Sequence, residues 1–366
     1  MSEINWRRVV IKVGSALIAP QGEIDTHCVQ PLAHLICQLK RKGSEVILVS
    51  SGAVAAARGK ITHSHQKPSL PQKQAMAALG QTQLMNCWQQ LSGLPCGQLL
   101  LTHADLADRR RYVNIKNTLR ALIDNQVLPI VNENDTVATD ELKVGDNDNL
   151  AAQVALMADA SLLIILSDVN GLYTQSPTLP GAELLPAIPC IDKNIYALAG
   201  GSDNPIATGG MQTKIQAADL ATRHGIDTLI ASGKCTDSLD KLGVKQISGS
   251  WFYAREKALP ARKAWLDATQ KPKGCLLIDE GAWHALKNNG ASLLLRGVTG
   301  VEGKFNKGDA VDIAHPELGK LASGLAELGA GEVEKLLGRH SQDMEKVLGY
   351  AIAPEVIHRD NLVILK

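Results

Sequence analysis

The chain has 366 residues, of which 45% are hydrophobic and 20% charged, and its 38 Lys and Arg almost balance its 37 Asp and Glu. This length predicts two domains, and the composition is that of a globular protein with a sizeable core. The small net charge argues against a nucleic-acid-binding protein or an acidic tail protein. No apolar run approaches a membrane-spanning helix and no secretory signal is visible, so we expect a soluble cytoplasmic protein.

Short β-branched apolar runs alternate with longer helical patterns over the first two thirds of the chain. The predicted strands are Val9–Val13, Glu45–Val49, Leu99–Thr102, Val127–Val131, Leu162–Leu166 and Thr228–Ser232. The predicted helices are Val29–Lys42, Ala53–Arg58, Arg110–Asn125, Leu150–Ala158 and Gln212–His224. Strand, turn and helix in repeated order predict an α/β domain with a mostly parallel sheet.

The character of the sequence changes after about residue 249. Trp251–Lys273 is rich in Lys, Arg, Ala and Pro, and is interpreted as a connecting segment. The predicted elements beyond it are short and separated by glycines, which is typical of a small β-rich domain. These are Leu276–Asp279, the helix Gly281–Asn288, Leu293–Leu295, Val311–Ile313 and Val363–Leu365. We therefore expect a larger domain over residues 1–255, a linker over 256–272 and a small domain over 273–352, with the tail to 366 packing on it.

Several features are interpreted as structural. The seven cysteines are scattered and include no C-x-x-C pair, so we expect buried thiols in a reducing compartment and neither disulfides nor a zinc finger. The segment His63–His65 lies in the polar stretch Thr62–Pro71, which is interpreted as a surface loop and not as a metal site. Arg109–Arg111 is interpreted as a solvated helix start paired with Asp105 and Asp108.

Polar residues occur where predicted strands end. Four such clusters are Lys12–Ser15, Ser50–Gly52, Asn132–Asp135 and Ser167–Asp168. Ligands of open α/β sheets bind outside the carboxyl ends of the strands, so clusters far apart in sequence can converge on one crevice. This arrangement indicates function more strongly than any single motif.

Each cluster also has a purely structural interpretation. Lys12 could cap a strand edge, or supply a positive charge to a phosphate that approaches Gly14 closely. Ser50–Gly52 could be an ordinary helix cap, or bind an anion at a helix N-terminus. Turns and caps favour Asn and Asp, but two turns account for only part of the residues in Asn132–Asp135 and Asp146–Asn149. The others suit the ammonium and carboxylate of an amino acid, a lysine or a metal.

The last motif, Thr208–Lys214, opens a predicted helix with a Gly-Gly turn. Such a turn can hold the phosphates of a nucleotide. Lys12 and Lys214 would then supply two positive charges to one transferring phosphoryl group. Phosphoryl transfer requires mainly positioning and charge neutralisation.

The stretches VNENDTVAT, KVGDNDNLAA, TGGMQTKIQAA and LGYAIAPEVIHRDNL together resemble the amino acid kinase family, in particular its members with a C-terminal PUA domain. The resemblance covers essentially the whole chain. It implies the amino acid kinase fold, with a mostly parallel central sheet flanked by helices, followed by a small β-rich PUA domain. The members resembled use ATP to phosphorylate the γ-carboxylate of L-glutamate, which gives L-glutamyl 5-phosphate in the first step of proline biosynthesis.

The resemblance also implies site residues, carried over by position. The implied catalytic residues are Lys12 and Lys214, organised by Asp148. The implied glutamate-binding residues are Ser51, Asp135 and Asn147, supported by Asn132 and Asp146. The implied ATP-binding residues are Lys12, Ser167, Asp168, Thr208, Gly209, Gly210, Met211, Gln212, Thr213 and Lys214. No protein-held metal is implied, because Mg²⁺ would arrive bound to ATP.

Partners and alternatives follow from the same resemblance. It implies feedback inhibition by proline and assembly into dimers or tetramers, and the lability of the acyl phosphate makes hand-off to the next enzyme of the pathway a further hypothesis. The alternatives are another family member, of the aspartate, acetylglutamate or uridylate type, or an RNA-binding role of the PUA domain. Residues 273–366 contain 11 Lys and Arg against 13 Asp and Glu, with three aromatic residues, so the basic and aromatic surface typical of RNA binding is not predicted.

Overall fold

The computed structural model describes residues 6–61, 68–137, 147–200, 210–234, 249–255, 265–266, 272–337 and 355–365. The chain divides into two compact units, Met1–Ala258 and Leu259–Lys366. Among the described residues, no helix is long and apolar enough to cross a membrane.

A mostly parallel sheet forms the centre of the first unit. Its strands are β1 (Arg8–Val13), β2 (Glu45–Ser50), β3 (Cys96–Leu101), β4 (Leu128–Glu133), β5 (Leu162–Ser167), β6 (Ala187–Ile188), β7 (Asp227–Ser232) and β8 (Gly249–Phe252). Their order is β3-β4-β2-β1-β5-β7-β8-β6. The strands from β3 to β7 in that order run parallel, whereas β8 runs antiparallel to β7 and pairs in parallel with β6. The predicted α/β class is confirmed.

Helices follow most of the parallel strands. They are α1 (Ser15–Ile18), α2 (Thr26–Arg41), α3 (Ala53–Ala56), α4 (Leu70–Ser92), α5 (His103–Ala107), α6 (Arg109–Asp124), α7 (Asn147–Met157), α8 (Lys193–Leu198) and α9 (Met211–Arg223). Local sequence sets many of their ends. The Asp25 carboxylate caps α2, Ser69 and Gln72 cap the start of α4 reciprocally, and Gly93 ends α4 in the left-handed conformation with φ of 65°.

The middle strands of this sheet are covered on both faces, which explains their continuous apolar sequences. All five residues of Leu162–Leu166 are inaccessible to solvent. The strand ends are aligned by register, since Val13 lies beside Ser50 and Val49 lies beside Val131. The residues that follow these strands therefore share one edge of the sheet.

Helix α4 crosses the start of α3 at very close range. A Cβ atom added at Gly80 would lie 1.8 Å from the carbonyl oxygen of Ala53, so only glycine allows this approach. The crossing brings the middle of α4 next to the end of β4, and the side chain of Gln81 thereby contacts Asn132.

The structure corrects three details of the sequence interpretation. Trp251 and Phe252 belong to strand β8 and not to a connecting segment, because β8 pairs with β7 and the Trp251 ring stacks on Trp6 at 5.9 Å. Pro71 lies in helix α4 and not in a loop, whereas His63 and His65 lie outside the described residues. The cysteines are less buried than predicted: of the six described, all of them free thiols, only Cys87 is buried, Cys190 is exposed and the other four are half-buried.

The interpretation of the arginine run as a helix start is confirmed. Helix α6 begins at Arg109, and the Asp108 side chain accepts a hydrogen bond from the backbone amide of Arg111. The exposed Arg111 guanidinium forms an ion pair with Asp105 at 2.9 Å.

The second unit is β-rich, as predicted. A sheet with the order β11-β9-β12-β13-β15 and a separate β10–β14 pair surround a small apolar core that includes Leu276, Leu286 and Val311. The strands are β9 (Gly274–Ile278), β10 (Leu293–Leu294), β11 (Val298–Gly303), β12 (Ala310–His315), β13 (Gly319–Leu325), β14 (Glu355–Ile357) and β15 (Leu362–Ile364). The helices of this unit are α10 (Glu280–Asn289) and α11 (Ala330–Leu336), with single 3₁₀ turns at Leu295–Gly297 and Arg359–Asn361.

Candidate active site

Two lysines and one aspartate meet at the carboxyl edge of the parallel sheet. Lys12 lies near the end of β1, Asp148 in the first turn of α7 and Lys214 in the first turn of α9. The Lys12 Nζ atom lies 2.6 Å from Asp148 Oδ1, and the Lys214 Nζ atom lies 3.1 Å from Asp148 Oδ2. One carboxylate thus holds two ammonium groups that lie about 200 residues apart in the sequence, and these three residues are called the Lys–Asp–Lys triad below.

The triad is almost completely buried. The exposed fraction of the side chain is 5% for Lys12, 7% for Lys214 and zero for Asp148. Burial acts to raise the pKa of Asp148, but the charges of Lys12 and Lys214 and their hydrogen bonds outweigh it, so the pKa lies below the ordinary aspartate value. The carboxylate is therefore ionised, and the three side chains carry a net positive charge in a place with little water.

Backbone geometry leaves space and positive potential next to the triad. A Cβ atom at Gly14 would lie only 3.7 Å from Lys12 Nζ, so glycine keeps that side of the ammonium group open. Helix α9 begins after Gly210, which carries no capping side chain, and the N-terminal end of this helix adds positive potential beside the triad. The Thr213 hydroxyl lies 3.0 Å from Asp148 Oδ2 and from the Gly210 carbonyl oxygen, which holds this first turn against the triad.

A cavity of about 200 Å³ opens beside Lys214. Ser167, the last residue of strand β5, and Asp168 form one wall, and the Ser167 hydroxyl donates a hydrogen bond to Asp168 Oδ1 over 3.1 Å. Gly210 and Met211 form another part of the lining. The other lining residues include the largely apolar Leu172, Tyr173, Pro177 and Leu198 and the polar Gln175 and Ser176. A mainly apolar cavity that ends at a buried lysine suits a nucleotide, with its base inside and its phosphates at the triad.

Amide and hydroxyl side chains meet next to the triad. The Asn147 Nδ2 group donates to Ser51 Oγ over 2.6 Å and to Asn132 Oδ1 over 2.9 Å. Asn132 is the last residue but one of strand β4, and its own Nδ2 group donates to Gln81 Oε1 over 3.0 Å. Asn147 Oδ1 is buried and has no hydrogen-bond partner in the part of the chain that is described.

A second cavity, of about 130 Å³, lies along this amide cluster. Gln81, Gln98, Asn132 and Asp135 are among its lining residues. Asp135 is half-buried in the turn that follows strand β4. Asp135 and the amides of Gln81 and Asn132 thus line a space of the size of a small polar metabolite, and Asn132 also accepts a hydrogen bond from Asn147.

Most of the residues singled out in the sequence therefore come together. Asp146, Thr208 and Gly209 lie outside the described residues. Gln81 was not expected, because it is one of six glutamines in helix α4 and no motif marks it. Only the fold, through the close helix crossing at Gly80, distinguishes it from the others.

The donor set around the triad does not favour a resident metal ion. Both oxygens of Asp148 face lysine ammonium groups. Over the described ranges, no group of three or more His, Cys, Asp or Glu side chains is arranged to hold a cation.

Comparisons with known proteins identify relatives of this chain. The model of the amino acid kinase family matches residues 7–232, and the model of the PUA domain matches residues 274–348. The chain is 50% identical over 370 aligned residues to a glutamate 5-kinase of Salinibacter ruber, with 98% of each chain covered. It is 45% identical to a glutamate 5-kinase of Idiomarina loihiensis, with all of both chains covered. A solved structure of carbamate kinase from Giardia lamblia, bound to AMP-PNP, covers 68% of this chain and 99% of its own, at 22% identity and a TM-score of 0.49.

Proposed function

The chain belongs to the amino acid kinase family, and on that premise we propose that it transfers the γ-phosphoryl group of ATP to the γ-carboxylate of L-glutamate. The products are ADP and L-glutamyl 5-phosphate, and the reaction is the first step of proline biosynthesis. The observation that carries the proposal is the buried Lys–Asp–Lys triad with its excess positive charge. The identity of the acceptor is supported by relatives named glutamate 5-kinase, at 42–50% identity over nearly the whole chain.

The nucleophile in this reaction needs no general base. The γ-carboxylate of glutamate has a reference pKa of about 4.3, so it is ionised at neutral pH. One of its oxygens forms a bond to the γ-phosphorus, while the bond from that phosphorus to the β,γ-bridging oxygen breaks and its electron pair leaves with ADP. The obstacle is repulsion between the carboxylate and the triphosphate. Two buried ammonium groups reduce that repulsion.

The three residues of the triad have different roles in reducing this repulsion. We assign the transferring phosphoryl group to Lys12 and Lys214, with Asp148 as the positioning carboxylate between them. Asp148 prevents the two ammonium groups from repelling each other while leaving one positive charge uncompensated. An anion that enters this buried site therefore gains strong electrostatic stabilisation.

The two cavities support a separate place for each substrate. We assign ATP to the cavity bounded by Ser167 and Asp168 and to the start of helix α9, that is, to Gly210, Met211, Gln212 and Thr213. We assign glutamate to the cluster of Ser51, Asn132, Asp135 and Asn147. Mg²⁺ belongs to the substrate as MgATP and neutralises phosphate charge. Asp146, Thr208 and Gly209 stay predictions from the resemblance.

The proposal also covers regulation, assembly and location in the cell. On the basis of the resemblance, we expect proline to act as a feedback inhibitor, the chain to assemble into dimers or tetramers, and the acyl phosphate to pass to the next enzyme of the pathway. A cytoplasmic location agrees with six described cysteines that are free thiols.

The test is ADP release from MgATP by the purified protein with L-glutamate, L-aspartate, N-acetylglutamate or UMP as acceptor. Hydroxylamine is included, because it converts an acyl phosphate into a stable hydroxamate. We expect glutamate-dependent ADP release with an equal amount of hydroxamate. ADP release with a different acceptor, or with none of the four, would overturn the assignment of the substrate.

A further inference from the structure

A chain of side-chain amides leads from the surface of the sheet to the cluster assigned to glutamate. It runs from Gln98 on β3 through Gln81 on α4 and Asn132 on β4 to Asn147 on α7, and it is called the amide relay below. Gln81 and Asn132 are buried, with exposed fractions of 6% and 3%. The contact from Gln81 Nε2 to Gln98 Oε1 is long, at 3.5 Å, and Gln98 is exposed. The hydrogen bonds of the relay therefore have ordinary lengths only from Gln81 inward.

One backbone group fixes the direction of the relay. The N–H of Glu133 donates to Asn132 Oδ1 over 2.9 Å, and a backbone N–H can only donate. Asn132 must therefore point its Nδ2 group away from that N–H and toward Gln81. Gln81 must in turn present its Oε1 atom, because two NH₂ groups facing each other form no hydrogen bond.

The same constraint acts on Asn147. Because Asn132 presents Oδ1, Asn147 must present Nδ2 to it, and both hydrogens of that group are then used on Asn132 and Ser51. Turning the Asn147 amide over would bring two carbonyl oxygens to 2.9 Å and would break the hydrogen bond to Asn132, even though the Ser51 hydroxyl could then donate to Oδ1. Asn147 is left with Oδ1 as its remaining polar atom, buried and without a partner among the described residues.

We propose that Gln81 is a positioning residue: by accepting from Asn132 it steadies the amide relay in the direction set by the Glu133 N–H, and so keeps an acceptor, Asn147 Oδ1, in place for the α-ammonium group of the substrate. A buried unpaired acceptor is costly and is relieved by a donor. An ammonium group supplies that donor, and Ser51, whose oxygen already accepts from Asn147, has its O–H free to donate to the α-carboxylate. The relay would thereby select an amino acid over a simple dicarboxylic acid.

This inference rests on the proposed function, and Gln81→Met tests it. Methionine has a similar length and fills the buried space but accepts no comparable hydrogen bond, so Asn132 loses one of the three hydrogen bonds that hold its amide. We expect the KM for glutamate to rise about three- to tenfold, the range of one ordinary hydrogen bond, with kcat and the KM for MgATP within about twofold. Gln90→Met, at an exposed position of the same helix, is the matched control and should change none of these values.

The decisive readout is the comparison with glutarate, which is glutamate without the ammonium group. Its inhibition constant against glutamate should be the same in the wild type and in Gln81→Met, so the preference for glutamate over glutarate should fall as far as the KM rises. A variant in which the substitution only disorders the binding site would lose affinity for glutamate and for glutarate equally. An unchanged preference would overturn the proposal.

Gln81→Glu provides the rescue variant. A glutamate carbonyl oxygen still accepts from Asn132, and a protonated carboxyl group also keeps a donor for Gln98. We expect its preference for glutamate over glutarate to stay within about twofold of the wild type. If Gln81→Met does not fold, a folded Gln81→Glu that has lost the preference would still overturn the proposal. A wild type inactive with glutamate would overturn the proposed function and this inference together, whereas an active wild type with an unchanged preference in Gln81→Met overturns the inference alone.

Discussion

Replacing Asp148 with asparagine removes the one negative charge of the Lys–Asp–Lys triad and changes the volume very little. Lys12 and Lys214, with side chains 5% and 7% exposed, would then face each other as like charges with no counter-charge between them. Breaking a buried ion pair by removing one partner costs about 3–5 kcal/mol. Asparagine keeps one oxygen as an acceptor for a lysine, so we expect a loss near the lower limit, about 3 kcal/mol of unfolding free energy.

The effect of Asp148→Asn on catalysis should be larger than its effect on binding. The lysines would no longer be held at the position of the phosphoryl group, and misplaced transition-state charge typically costs about 10²–10³ in kcat. The assay is steady-state ADP release with the KM values for glutamate and MgATP, alongside urea unfolding and near-ultraviolet circular dichroism. A folded variant with a kcat within about threefold of the wild type would show that Asp148 does not organise the lysines.

Asp159→Asn is the matched control. Asp159 also loses an ion pair, with Lys116 at 2.7 Å, but the pair is on the surface and the Asp159 side chain is 63% exposed. Its backbone φ is 51°, in the left-handed region that asparagine also tolerates. We expect a stability change below about 1 kcal/mol and an unchanged kcat, because surface ion pairs contribute little.

The pH dependence of stability should separate the same two variants. The pKa of Asp148 is lowered in the folded protein, so its contribution is fully present above the unfolded value, near 3.8, and is lost as the pH falls through the lower folded pKa. The wild type and Asp159→Asn should therefore lose unfolding free energy below about pH 4 more steeply than Asp148→Asn. Parallel curves for all three proteins would contradict the lowered pKa.

The other predictions concern the lysines at the phosphoryl group and the carboxylate at the glutamate site. Lys12→Ala and Lys214→Ala should each reduce kcat far more than they raise the KM for glutamate, and near-normal turnover with a raised KM would remove the lysines from the phosphoryl site. Asp135→Ala should act mainly on the KM for glutamate, measured at saturating MgATP, and an unchanged KM would remove Asp135 from the substrate-binding residues.

The sequence predicts that several site residues lie close together, because residues at the carboxyl ends of parallel strands meet at one edge of a sheet in any protein of this class. Lys12, Ser51 and Asn132 all lie at or just after the ends of apolar runs, and parallel strands bring such ends to one edge of a sheet. The contact between Lys12 and Lys214 through Asp148 joins residues about 200 positions apart in the sequence. The strand-end position of Lys12 and the Gly-Gly turn before Lys214 suggest that both lysines serve one phosphoryl group, whereas the role of Asp148 between them is implied only by the family resemblance.

What the sequence analysis missed depends on tertiary contacts. Strand β8 has only four residues and depends on pairing with β7. Such a short strand gives no clear signal in the sequence, and the sequence analysis therefore assigns its aromatic residues to a connecting segment. Helix α4 did carry local signals, namely the capping pair Ser69 and Gln72 and the terminal Gly93, which could have revealed it. The role of Gln81 had no such signal, because it follows from the helix crossing at Gly80.

The central claim is that the γ-carboxylate of glutamate itself attacks the phosphorus of ATP. The most direct test uses L-glutamate labelled with oxygen-18 in both γ-carboxyl oxygens, with MgATP, hydroxylamine and the purified enzyme. Hydroxylamine displaces phosphate from the acyl phosphate at the carbonyl carbon, so the bridging oxygen, which came from glutamate, leaves with the phosphate. We predict inorganic phosphate that carries one labelled oxygen per molecule, in an amount equal to the hydroxamate. Release of ADP with unlabelled phosphate would contradict the mechanism.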